Sequence, residues 1–84
     1  MRTLTGGTVT ERGYTRLVNG NLLKELRERA LLTQDELAAA SGVSRATIIR
    51  YEQGRGRHPS PLRVRKLAHT LGADIHDLVT LTFD

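Results

Sequence analysis

The stretch from Thr33 to Gly54, TQDELAAASGVSRATIIRYEQG, most constrains what this chain can fold into. Thr33 and Glu36 have the spacing of a capping box, in which each side chain satisfies a backbone N–H at a helix start. Leu32 and Leu37 flank that start as a hydrophobic staple. The helix is expected to run to about Ala40, and Gly42 suits the left-handed residue beyond its end. Ser44 then caps a second helix, with Val43 and Ile48 as its staple, and Gly54 closes it. A turn of about four residues leaves such helices no room to separate, so they must pack at a steep angle. Leu37, Ala38 and Val43 supply the contact, and small Ala38, Ala39 and Ala40 permit close approach.

The same punctuation continues on both sides. Asn19 caps an earlier helix with Leu22, Leu23, Leu26 and Ala30 at helical spacing. Ser60-Pro61 starts a fourth helix, with proline at the first helical position, where its missing N–H costs nothing. Leu62, Leu67, Ala68 and Leu71 are its expected buried stripe, and Gly72 its end. Asp74 caps a short fifth helix. Val79, Leu81 and Phe83 alternate with threonines, the period of a strand. Thr8–Thr10 and Tyr14–Val18 also have strand propensity, with Gly13 between them. The expected fold class is all-α, five helices, with short β-strands at the termini that meet in a small sheet. Residues 1–18 are expected as an N-terminal arm or small hairpin, 19–79 as the helical domain, and 80–84 as a C-terminal tail or strand.

Eighty-four residues make one small domain, and the absence of cysteine removes disulfides and thiolate metal sites. No apolar run approaches the roughly 20 residues that span a bilayer, and the N-terminus lacks a signal-peptide pattern. The expected location is the cytoplasm. Charge is unevenly placed: Val43 to Lys66 holds seven Lys or Arg and one acid, whereas residues 67–84 hold three acids and no Lys or Arg. A basic block on a balanced domain points to a polyanion partner. An enzyme is not expected: "GRGRHP" has Pro59 where a phosphate-binding glycine motif needs its third glycine. His58, His69 and His76 lack metal-ligand spacing, and nothing arranges a catalytic triad. No cofactor or metal is expected.

Helix three, after Ser44, buries Ile48 and Tyr51. At about 100° per residue the opposite side holds Arg45, Ala46, Ile49, Arg50 and Gln53. A DNA major groove admits a helix and offers acceptors, donors and thymine methyls, which suits guanidinium groups and small apolar side chains. The pattern of Gln34, Leu37, Ala38, Gly42, Val43, Ser44, Ile48, Glu52 and Gly54 resembles the Cro/repressor (Xre-type, lambda-repressor-like) helix-turn-helix family, and the likeness continues through PSPLRVRKLAHTLGADIHDLV. It spans about residues 19–79.

The resemblance implies a DNA-binding transcriptional regulator. It implies that Arg45, Ala46, Thr47 and Arg50 read bases. Gln34 would hold a phosphate, with Ser44, Gln53, Arg55 and Arg57 also on the DNA backbone, and Arg27 would pair with Glu52. Leu31 stands where the family commonly has glycine, so the first interhelical turn is expected to differ. The expected molecule is a repressor that binds a palindromic operator in double-stranded DNA as a homodimer, joined through helix five and Val79–Phe83. The alternatives are an antitoxin that binds a toxin protein and its own promoter, and a non-repressing accessory factor such as an excisionase-like or restriction-controller protein. Eleven arginines against two lysines fit a GC-rich bacterial or phage genome.

Overall fold

Side-chain caps set where each helix begins. In the computed structural model, which describes residues 14–83, the order is β1 (Tyr14–Val18), α1 (Gly20–Arg29), α2 (Gln34–Ser41), α3 (Arg45–Glu52), α4 (Pro61–Leu71), α5 (Ile75–Leu78) and β2 (Val79–Phe83). Asn19, Thr33, Ser44, Ser60 and Asp74 each accept a backbone N–H from the first turn of the helix that follows. Thr33 completes the reciprocal box: its own N–H donates to Glu36 Oε1 at 2.8 Å, and Glu36 N–H donates to Thr33 Oγ1 at 3.0 Å. Five caps legible in the sequence thus fix five helices.

The core lies where these helices cross. Leu23, Leu37, Val43, Ile48, Tyr51, Val64, Leu67, Ala68 and Leu78 are buried together with Val18 of β1. One expectation for α4 is corrected: Leu62 is 54% exposed, and Val64 takes its place inside. Val64, Leu67, Ala68 and Leu71 follow the i, i+3, i+4, i+7 rule, and Leu62 falls off that stripe.

The terminal strands pair antiparallel, with Tyr14 opposite Phe83 and Val18 opposite Val79. Thr80 and Thr82 hydroxyls donate to Leu17 and Thr15 carbonyls, each at 3.3 Å. The other side of β1 is also occupied: Val18 N–H donates to Gly56 O at 3.0 Å and His58 N–H to Arg16 O at 2.8 Å. A two-stranded sheet alone is marginal in water. Here the loop after α3 buttresses it and Val18 anchors it in the core. Tyr14–Val18 and Val79–Phe83 are thereby held against the helical unit as strands. The strand expected at Thr8–Thr10 lies outside the described residues.

The turn between α1 and α2 keeps the backbone a glycine would give it. Leu31 has φ 60 and is 88% exposed. Its N–H donates to Glu28 O at 3.0 Å, and Leu32 N–H donates to Arg27 O at 3.1 Å. These two bonds form a Schellman closure, the same as at Gly54 and Gly72. The left-handed region costs an L-residue about 1–2 kcal/mol. Leu31→Gly and Leu31→Asn are therefore expected to stabilise the fold by roughly 1 kcal/mol, after the entropy glycine loses on folding. Urea denaturation checks this; a lower midpoint for both variants would show that the leucine side chain contributes more than its backbone costs.

Candidate nucleic-acid interface

The α2–turn–α3 unit is built as the sequence dictates. Gly42 closes α2 with φ 79, and its N–H donates to Ala38 O at 2.9 Å. Two residues later Ser44 starts α3. Thr47, Ile48 and Tyr51 of α3 point into the protein. Arg45, Ala46, Arg50 and Gln53 are exposed, and Ile49 is half-buried. The outer face is thus cationic, with a small apolar centre.

Thr47 has the base-reading role only by resemblance. It is only 7% exposed. Ser44 Oγ accepts its backbone N–H at 3.2 Å and donates to its Oγ1 at 2.9 Å. Thr47 sits one position from Ile48 and on the same buried side, so its hydroxyl completes the cap and does not face outward. Ser44 is exposed on the surface, with its hydroxyl engaged in that cap.

Behind this face lies a polar network. Arg27 of α1 grips Glu52 with two bonds, Nε to Oε2 at 2.7 Å and Nη2 to Oε1 at 3.1 Å. Arg27 Nη1 also donates to Leu32 O at 2.9 Å, which ties in the α1–α2 turn. Gln34, the first residue of α2, donates its Nε2 to Glu52 Oε1 at 3.1 Å. The Arg27 and Glu52 side chains are 11% and 5% exposed. The hydrogen bond to Glu52 raises the Arg27 pKa above its ordinary value, against the opposing pull of burial. One carboxylate therefore joins α1, α2 and α3. Gly20 lets α1 begin directly against the end of α3: a Cβ there would lie 2.8 Å from Glu52 O.

Gln34 has part of its amide committed to Glu52 and stands beside Lys24, Ile49 and Gln53 in an open concavity of about 450 Å³. Lys24 was missed by the sequence reading. Its signal was its place three residues before Arg27, on the same helical face. Also missed was an ion pair across the unit, from Arg45 Nε to Asp35 Oδ1 at 3.1 Å. Beyond Gly54, Arg55 Nη2 donates to Gln53 Oε1 at 2.6 Å. Arg57 is drawn toward the sheet instead: it bridges to Leu17, and its Nη2 lies 3.5 Å from Thr15 Oγ1. The two loop arginines therefore have different surroundings. Among the described residues no group of three His, Asp or Glu side chains is placed to hold a metal ion, and no helix is long and apolar enough to cross a membrane.

The Helix-turn-helix family profile matches residues 23–78, which begin in α1 and end with α5. The chain belongs to the Cro/repressor (Xre-type) helix-turn-helix family. Its relatives carry the same description. An HTH-type transcriptional regulator of Methanothermobacter thermautotrophicus is 42% identical over 64 residues, which cover 75% of this chain and 91% of the relative. The HTH-type transcriptional repressor RghR of Bacillus subtilis is 46% identical over 52 residues, covering 62% of this chain and 38% of RghR. The chain spans less than half the length of RghR and of its Bacillus relative RghRB. Among solved structures, the restriction-modification controller protein C.AhdI from Aeromonas hydrophila superposes with a TM-score of 0.62 at 34% identity, over 69% of this chain and 86% of that one. The transcriptional regulator VanUg shares the fold, with a TM-score of 0.61 at 21% identity over 86% of this chain and 91% of its own.

Within this helix-turn-helix, the buried pair is a point of failure. Removing one partner strands the other charge, which costs about 3 kcal/mol. Arg27→Ala is expected to lower Tm by roughly 15 °C in a domain of this size. Thermal unfolding followed by circular dichroism measures it. A shift of only a degree or two would mean that Glu52 finds other partners.

Proposed function

We propose that this chain is a sequence-specific, double-stranded-DNA-binding transcriptional regulator that acts as a repressor. The observation that carries this reading is the exposed cationic face of α3, held by a buried ionic network behind it. Arg45, Ala46 and Arg50 read base edges in the major groove: arginine grips guanine through two bonds, and a small apolar side chain meets a thymine methyl. Thr47 leaves the base-reading set because its hydroxyl belongs to the helix cap.

The backbone of the DNA is met on both sides of α3. Gln34 and Lys24 flank it on one side, and Gln53, Arg55 and Arg57 on the other. Ser44 and the first N–H groups of α3 suit a phosphate oxygen. Similarity to a protein named a repressor supports the sign of regulation. Similarity to a restriction-modification controller protein, most of whose length this chain covers, supports a regulatory role. Residues 19–79 form the DNA-binding unit in this reading.

One α3 reads only a few base pairs. Specific affinity then comes from a two-fold dimer on a palindrome, with half-sites about 34 Å apart. The proposed interface uses α5 and β2, where Leu81 is 55% exposed. Light scattering is expected to give a dimer with bound duplex, and selection from a random duplex pool an inverted repeat. A monomer on the selected duplex, or a motif without two-fold symmetry, removes the dimer.

The two kinds of arginine are separable. Arg50→Ala is expected to cost about 1–3 kcal/mol on the selected duplex and little on a shuffled one. Arg55→Ala weakens both alike and shrinks the salt slope by about one. Titrations at several salt concentrations check both. Equal losses on both duplexes for Arg50→Ala would take it out of the base-reading set.

A further inference from the structure

The outer face of α3 has an acidic neighbour. Asp35, in the first turn of α2, reaches across the turn to Arg45, with 3.1 Å between Oδ1 and Nε. Neighbouring acids are committed elsewhere: Glu36 to the Thr33 cap, Glu52 to Arg27 and Gln34, Glu25 to Arg29. The Arg45 and Asp35 side chains are 57% and 79% exposed, so their pair adds little to folding. A carboxylate at this place nevertheless sits beside whatever Arg45 binds.

We infer that Asp35 is a positioning residue that makes Arg45 selective for guanine over phosphate. The inference rests on the reading of α3 as the recognition helix. Two effects act in the same direction. The contact at Nε fixes the side of the guanidinium and leaves its terminal amino groups to project beyond it, the fork that matches the two acceptors of a guanine edge. The same carboxylate repels phosphate oxygens. On arbitrary DNA, Arg45 exchanges one single-oxygen partner for another while Asp35 stays next to a polyanion, so the contact gains little. On guanine, two directed bonds form and Asp35 can keep its hold on Nε. Discrimination therefore comes from a repulsive element as well as an attractive one.

The test uses the full chain, the tightest duplex selected from a random pool, and a shuffled duplex of the same composition. Asp35→Asn keeps shape and removes charge. It is expected to tighten binding to the shuffled duplex by about three- to tenfold, the scale of one surface charge beside a polyanion. Binding to the selected duplex changes less, so the selectivity ratio falls by a similar factor. Asp35→Glu, which keeps the charge, retains most of the ratio. In an Arg45→Ala background, Asp35→Asn leaves the ratio unchanged, because there is no longer a side chain to position. Melting curves show whether each variant is folded at the assay temperature. An unaltered ratio for Asp35→Asn, or an equal drop in the Arg45→Ala background, overturns the role of Asp35 while the recognition helix stands. A wild-type protein that prefers no duplex overturns both.

Discussion

Glu52 is the carboxylate on which the helix-turn-helix unit depends. It stands at the last turn of α3, nearly buried, and is satisfied from two directions, by Arg27 of α1 and Gln34 of α2. A carboxylate removed from water is tolerable only when its lone pairs are used. Here that requirement fixes three helices relative to one another. Apolar packing through Leu37, Val43, Ile48 and Tyr51 brings α2 and α3 together, yet packing alone tolerates small rotations. Directed bonds at Glu52 do not, because a rotation of α3 would leave Glu52 or Arg27 unpaired.

The outer surface inherits its order from that inner one. Ser44 and Thr47 lock the start of α3, Glu52 locks its end, and Gly20 allows α1 to come close enough for Arg27 to reach. Arg45, Ala46 and Arg50 therefore project from a helix fixed at both ends. The loop after α3 is held in turn by β1, through Gly56 and His58, so the sheet made by the chain termini bears on the same face. The terminal strands thus help to hold the loop backbone at Arg57.

Much of this was legible in the residues. Five caps appear as Asn19, Thr33, Ser44, Ser60 and Asp74, because a short polar side chain before an apolar stripe has few other uses. The α3 face was legible because burial of Ile48 and Tyr51 leaves Arg45 and Arg50 outside by geometry. Helical geometry had not put Thr47 on the outer face; its base-reading role came from the family resemblance, and its hydroxyl meets Ser44 in the cap. Leu62 was misplaced, since an apolar residue one step off the stripe looks buried. The Asp35–Arg45 pair was not legible, because it joins residues whose distance depends on the angle between helices.

The sequence by itself determined where the helices start and stop, which faces are apolar, and that positive charge gathers after Val43. These are local matters of capping, periodicity and composition. Tertiary structure alone decided that β1 would lie between β2 and the loop after α3, and that Asp35 would meet Arg45. In each case the deciding force is a contact between distant segments. A strand edge is satisfied by a loop some 40 residues on, and a charge pair is set by the angle at which two packed helices cross.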